Sequence, residues 1–240
     1  MDKTALLNNI TSEKSFNRIN LSSTNLNNAD FSGFNFQEAN FSGSILIQVN
    51  FSQAYLNGTI LNYADLSYAN LSLSYARETD FREANLFKAK LNEADLMQAN
   101  FCSASLWKAK LYKANLWAAS LCEADLSEAD LTEAKLIEAS LIGANLFAAN
   151  LSGAKLWGAR LGEANLTQAN LTGADLSWAN LSGANLTGAD LRGATLHNTN
   201  LTGAKLDKTI MPDETMEAEK PVISCQFNHF LYNLPLFVHS

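Results

Sequence analysis

The sequence has only three prolines, Pro212, Pro221 and Pro235, and all of them follow Met211. Nothing earlier removes a backbone donor, so the first 211 residues are free to keep an unbroken hydrogen-bonded lattice. Cysteine is equally scarce: Cys102, Cys122 and Cys225 are an odd, sparse set. That excludes a disulfide framework and points to a reducing compartment, the cytoplasm. The three histidines, His197, His229 and His239, stand in no metal-ligand spacing with a cysteine or carboxylate. No glycine-rich phosphate loop and no nucleophile motif is present. An enzyme is therefore not expected, and neither a metal nor a cofactor is assigned. No run of about 20 apolar residues occurs, so no membrane span is expected. The opening MDKTALLNNITSEKS lacks a basic segment followed by an apolar one, so no secretory signal is expected. Charged residues make up only 17%, and the net charge is −7. That balance argues against a general nucleic-acid binder.

What the sequence has instead is a strict period. Every fifth residue from Phe16 to Leu206 is Leu or Phe, 38 of 39 positions, with Ala76 as the exception. Two residues before most centres sits a small residue, with Phe34 among the early exceptions, and from Ala84 to Ala194 it is alanine at all 23 positions. Asn or Asp usually lies between, as in Ala144-Asn145-Leu146-Phe147-Ala148. A period of five suits neither helix nor strand. On a helix successive leucines would scatter around the axis, and on one continuous strand they would alternate faces. A corner in every repeat resolves this. Ala and Leu, two apart, then point inward from one short extended segment, while the Asn/Asp and the two following residues face outward. Eleven of the 12 glycines occupy the second of those two positions, with Gly162 the exception, which marks a corner needing positive φ. One bent coil cannot bury its Leu and Ala, but a stack can, with backbone bonds running between coils roughly 4.8 Å apart.

This Ala-Asn/Asp-Leu-x-x pattern resembles the pentapeptide-repeat family over about four-fifths of the chain. The period alone leaves three or four sides open. The resemblance implies four: an all-β, right-handed quadrilateral β-helix of 20 residues per coil and about ten coils. It also implies a non-enzymatic role, either as a regulatory protein-binding rod or as a DNA mimic that inhibits or protects a topoisomerase. A mimic needs long acidic walls. Here Glu123, Asp125, Glu128, Asp130, Glu133 and Glu138, offset by Lys135, are confined to less than one coil. The protein-binding reading is therefore preferred, with a protein partner or a second copy of the chain as its object.

The expected organisation is a capping segment over 1–15, carrying Leu6, Leu7 and Ile10 at helical spacing, a solenoid over 16–211, and a linker with an apolar tail over 212–240. Ala76 is expected to mark a local distortion. With 20 residues per coil, one side of the rod collects Tyr55, Tyr75, Met97, Trp117, Ile137, Trp157 and Trp178. Such an aromatic stripe exceeds what a solitary monomer usually exposes, and it is the candidate partner-binding face. A secondary patch gathers Phe87, Lys88, Lys90, Trp107, Lys108 and Lys110, where stacked like charges hint at an acidic partner. Cys102 and Cys122 share one phase of neighbouring coils, within disulfide reach, and are expected as free outward thiols.

Overall fold

The computed structural model describes residues 14–212. The residues of the expected N-terminal cap before Lys14, and those of the expected tail after Pro212, lie outside the described residues. Within them, each residue just before a centre pairs in parallel with the residue 20 positions later, from Ser15↔Asn35 to Asp190↔Ile210. Every coil thus has four sides of one repeat each, and the rod is a right-handed quadrilateral β-helix. The ladder already includes Ser15, one residue before the first repeat centre.

The repeat centred on Leu146 shows why five residues suffice. The Leu146 amide donates to Asn165 O at 2.7 Å and the Ala148 amide to Thr167 O at 2.9 Å, both one coil ahead. The Asn150 amide donates back to Ala129 O at 2.9 Å. The Ala149 amide closes a β-turn on Leu146 O at 3.1 Å. Only the first turn residue, Phe147, has no backbone partner, and the side chain of Asn145 accepts its amide at 3.3 Å. The preference for Asn and Asp before each centre is therefore a hydrogen-bonding demand. It satisfies the one amide per repeat that the coil lattice leaves over. It also explains why these residues are mostly half-buried rather than simply outward-facing.

The second turn residue has positive φ in all 39 repeats, and 28 of these residues are not glycine. An L-residue there costs roughly 1–2 kcal/mol, so the stacking of coils enforces a conformation that most of these side chains would not choose alone. Inside, the Leu, Phe and Ala ladders are closed to solvent from Leu21 to Leu191. Phenylalanine fills the N-terminal half, where Phe31 meets Phe36 edge-on at 5.1 Å and Phe81 stacks on Phe101 at 4.6 Å. At Thr59, Thr79, Thr199 and Thr209, which replace the small alanine, the hydroxyl bonds a carbonyl of the preceding coil, as Thr79 does to Leu56 O at 2.7 Å.

At Ala76 the pairing between coils is kept: its amide donates to Asp95 O at 2.8 Å and Tyr75 pairs with Asp95 in register. The turn is where this repeat departs, since the Thr79 amide does not close on Ala76 O as the Ser74 and Ala84 amides close on Leu71 O and Phe81 O. The neighbouring Ser74 hydroxyl is buried without a partner. Among the described residues no helix is long and apolar enough to cross a membrane.

Candidate functional site

The row of residues predicted from 20-residue spacing divides into three positions. Tyr55 and Tyr75 lie mid-wall, and their rings stack at 5.0 Å in adjacent coils. Met97, Trp117, Ile137 and Trp157 are first turn residues, so they form a ridge along one corner rather than a flat wall. Trp178 is a second turn residue, 57% exposed, beside His197 at 6.0 Å between ring centroids. Along the ridge Trp157 is exposed, while Met97, Trp117 and Ile137 are half-buried.

The ridge has a backbone feature that Trp107, Cys122 and Gly162 share at other corners. No side chain among the described residues accepts the amides of Met97, Trp117, Ile137 or Trp157 in these four successive coils. Asp95 is turned towards Arg77 at 2.7 Å, and its other oxygen accepts Asn115 Nδ2 at 3.2 Å. Lys135 and Lys155, which precede Ile137 and Trp157, have no acceptor to offer. Beside the ridge runs a groove of about 560 Å³ lined by Asp95, Asn115, Lys135 and Lys155, with Glu93, Lys113 and Glu133 on its far rim. Lys113 pairs with Glu133 at 3.5 Å. Lys135 and Lys155 stack one coil apart, and neither makes an ion pair among the described residues. The candidate site is a polar groove beside an apolar ridge, with Lys135 and Lys155 outside any ion pair among the described residues and Asp175 next in their column.

The secondary patch lies on the diagonally opposite corner. Phe87 packs on Trp107 at 4.9 Å and Tyr68 meets Phe87 edge-on at 5.3 Å. Lys88 lies 5.0 Å from the Phe87 ring centroid, and Lys108 lies 4.8 Å from that of Trp107. Lys108 also pairs with Glu128 at 3.2 Å, and Trp107 donates to the same carboxylate at 3.3 Å. Those bonds hold the Glu128 carboxyl below its usual range. Lys90 and Lys110 stack as the spacing required, with Asp130 next in the column. Much of this patch is thus satisfied within the rod.

One apolar feature was missed. Tyr63, Tyr68 and Leu73 occupy three successive corners at positive φ and are exposed. With Tyr55, Ile60 and Tyr75 they follow one full turn of the rod, from Tyr55 to the coil where Tyr75 stacks on it. The signal was in the sequence: bulky residues stand where glycine and glutamate otherwise recur. This band adjoins the ridge, since Tyr75 pairs with Asp95, two residues before Met97.

The family model of pentapeptide repeats matches residues 15–72, 79–146 and 149–211. HetL from the cyanobacterium Nostoc, a pentapeptide-repeat protein involved in heterocyst differentiation regulation, is similar at 36% identity. The match covers 90% of this chain and 99% of HetL, with a TM-score of 0.67. A pentapeptide-repeat protein of the Arabidopsis thaliana thylakoid lumen matches at 34% identity over 41% of this chain and 69% of its own, with a TM-score of 0.31. QnrB1, a plasmid-mediated fluoroquinolone resistance protein, matches at 24% identity over 83% of this chain and 92% of its own, with a TM-score of 0.35. No curated protein sequence matches the chain. The five-residue period, the four-sided coil and the extent of the family match together establish that this chain belongs to the pentapeptide-repeat family.

Proposed function

We propose that this protein is a non-enzymatic regulatory rod that binds a protein partner along the groove beside Met97, Trp117, Ile137 and Trp157. One observation carries the reading: in four successive coils the same corner offers an apolar side chain together with an unpaired amide. The β-solenoid has already ordered these groups, so binding loses little conformational entropy. Tryptophan is among the residues that most often dominate interface energy. Lys135 and Lys155, unpaired beside the ridge, call for a partner segment that carries carboxylates as well as apolar side chains. Similarity to HetL supports a regulatory role.

The mimic reading is not favoured, because the acidic residues are spread around the rod. Glu123, Glu128, Glu133 and Glu138 occupy four different corners of one coil, and Glu128 and Glu133 pair with Lys108 and Lys113. The test is affinity capture from the source cells with the native protein and with the Trp117→Ser/Trp157→Ser variant, accompanied by sedimentation of both. The reading requires a protein, or a second copy of the chain, that associates with the native form and is lost from the variant. Equal capture and equal sedimentation would contradict it.

A further inference from the structure

The corner neighbouring the tryptophan ridge carries Cys102 and Cys122 at the same turn position of adjacent coils. The Ser103 amide donates to Cys122 O at 2.9 Å, which holds the two turns in register. Neighbouring coils lie about 4.8 Å apart, inside the Cα separation of roughly 4.4–6.8 Å that a disulfide accepts. Both cysteines are free and half-buried. The hydroxyl of Ser120 lies between their sulfurs, 3.0 Å from Cys102 Sγ and 3.7 Å from Cys122 Sγ. Cys122 Sγ also lies 3.2 Å from the Ser140 hydroxyl.

We propose that Cys102 and Cys122 form a thiol–disulfide exchange site for low-molecular-weight disulfides, with Cys122 as the attacking sulfur and Cys102 as the resolving one. Cys122 Sγ lies within reach of the Ser140 and Ser120 hydroxyls, and its thiol can donate to Ser140 O at 4.0 Å. Burial pushes its thiol up, but hydrogen bonds with Ser140, Ser120, Cys102 and the Ile142 amide outweigh that and bring it below the ordinary value. In the first step the Cys122 thiolate attacks one sulfur of R–S–S–R. A Cys122–S–R bond forms, the R–S–S–R bond breaks, and the departing thiolate takes up the proton that Cys122 released. In the second step Cys102 loses its proton and attacks Cys122 Sγ. The Cys102–Cys122 bond forms and the second R–S⁻ leaves as its thiol. Two protein thiols are oxidised, one small disulfide is reduced to two thiols, and two protons move with them. The product joins adjacent coils one corner away from the tryptophan ridge.

The experiment equilibrates the full chain with glutathione disulfide and glutathione at a series of ratios, then quenches and digests with trypsin. Cys102 and Cys122 fall in separate peptides, residues 91–108 and 114–135, because Lys108, Lys110 and Lys113 lie between them. The proposal predicts a joined 91–108/114–135 peptide that grows with the oxidised fraction and disappears when the ratio is reversed. It predicts that Cys102→Ser accumulates a glutathione adduct on Cys122 and loses the joined peptide. Adducts that stay separate on both cysteines would overturn it, as would an adduct that forms first on Cys102, or a joined peptide containing Cys225 in place of either.

Discussion

Asn57 accepts the backbone amide of Arg77, one coil ahead, at 2.9 Å. The repeat that contains Arg77 has Tyr75 where Asn or Asp would otherwise take that amide. Asn27 serves Ile47 and Asn92 serves Tyr112 in the same way, and those repeats carry Ile45 and Lys110 at the acceptor position. Asn62 occupies the equivalent place under Arg82. There Asp80 already accepts the amide at 3.1 Å, and Asn62 Oδ1 is buried without a partner.

This contrast gives a paired test. Asn57→Ala leaves the Arg77 amide without its acceptor and is expected to cost about 1–3 kcal/mol. Asn62→Ala removes an acceptor that bonds nothing and is expected to cost clearly less. Chemical denaturation of the two variants measures both. Equal losses would mean that the cross-coil bond contributes nothing.

The interior gives a second pair. Leu146 and Ala144 are closed to solvent. Leu146→Ala is expected to cost about 2–5 kcal/mol through the cavity it leaves. Ala144→Leu is expected to cost about 1–3 kcal/mol, because the narrow interior has no room for the added carbons. Denaturation midpoints that matched the native protein in both variants would mean these residues are not inward.

Glycine separates backbone cost from steric cost. A Cβ on Gly173 would meet nothing within 4 Å, yet φ there is +65°. Gly173→Val is expected to lower stability by roughly 1–2 kcal/mol from the backbone alone. A Cβ on Gly162 would make only ordinary contact with Ser182 at 3.7 Å, and the residue is not at positive φ. Gly162→Ala is expected to be neutral or to stabilise by up to about 1 kcal/mol. Thermal unfolding of both variants distinguishes them.

Acid should weaken the rod. The Asp190 carboxyl is held below its usual range by hydrogen bonds from the Arg192 side chain and amide, and Asp30 by those from Ser32. A carboxyl depressed in the folded state stabilises it above the unfolded value, near pH 4, and loses that contribution as pH falls towards the folded value. The unfolding temperature is expected to hold between about pH 5 and pH 8 and to decline below about pH 4. A rise on acidification would contradict the assignment.

The fold was legible because a period of five admits few solutions. The inward Leu, the inward Ala and the corner glycines each declared a position. The aromatic ridge was legible once 20 residues made a coil. The roles of Asn57 and Asn92 were not, since each depends on which amide the lattice leaves over, and only stacked coils reveal that. Tyr63, Tyr68 and Leu73 were overlooked for a related reason: they are 5 residues apart, around the rod, whereas the aligned aromatics are 20 apart, along it. The departure at Ala76 is confined to its turn, where the Thr79 amide does not close on Ala76 O, because side-chain size at a centre does not govern backbone pairing between coils.

The ridge is the most direct test of the whole account. Once the partner is captured, its affinity is measured by calorimetry for the native protein, for Trp117→Ser/Trp157→Ser, and for Trp107→Ser on the diagonally opposite corner. The account predicts that the double variant keeps its circular dichroism spectrum and loses at least about 2 kcal/mol of binding, roughly 30-fold in Kd. Trp107→Ser is expected to bind as the native protein does. Undiminished binding by a folded double variant would contradict the account, as would a loss of equal size in Trp107→Ser.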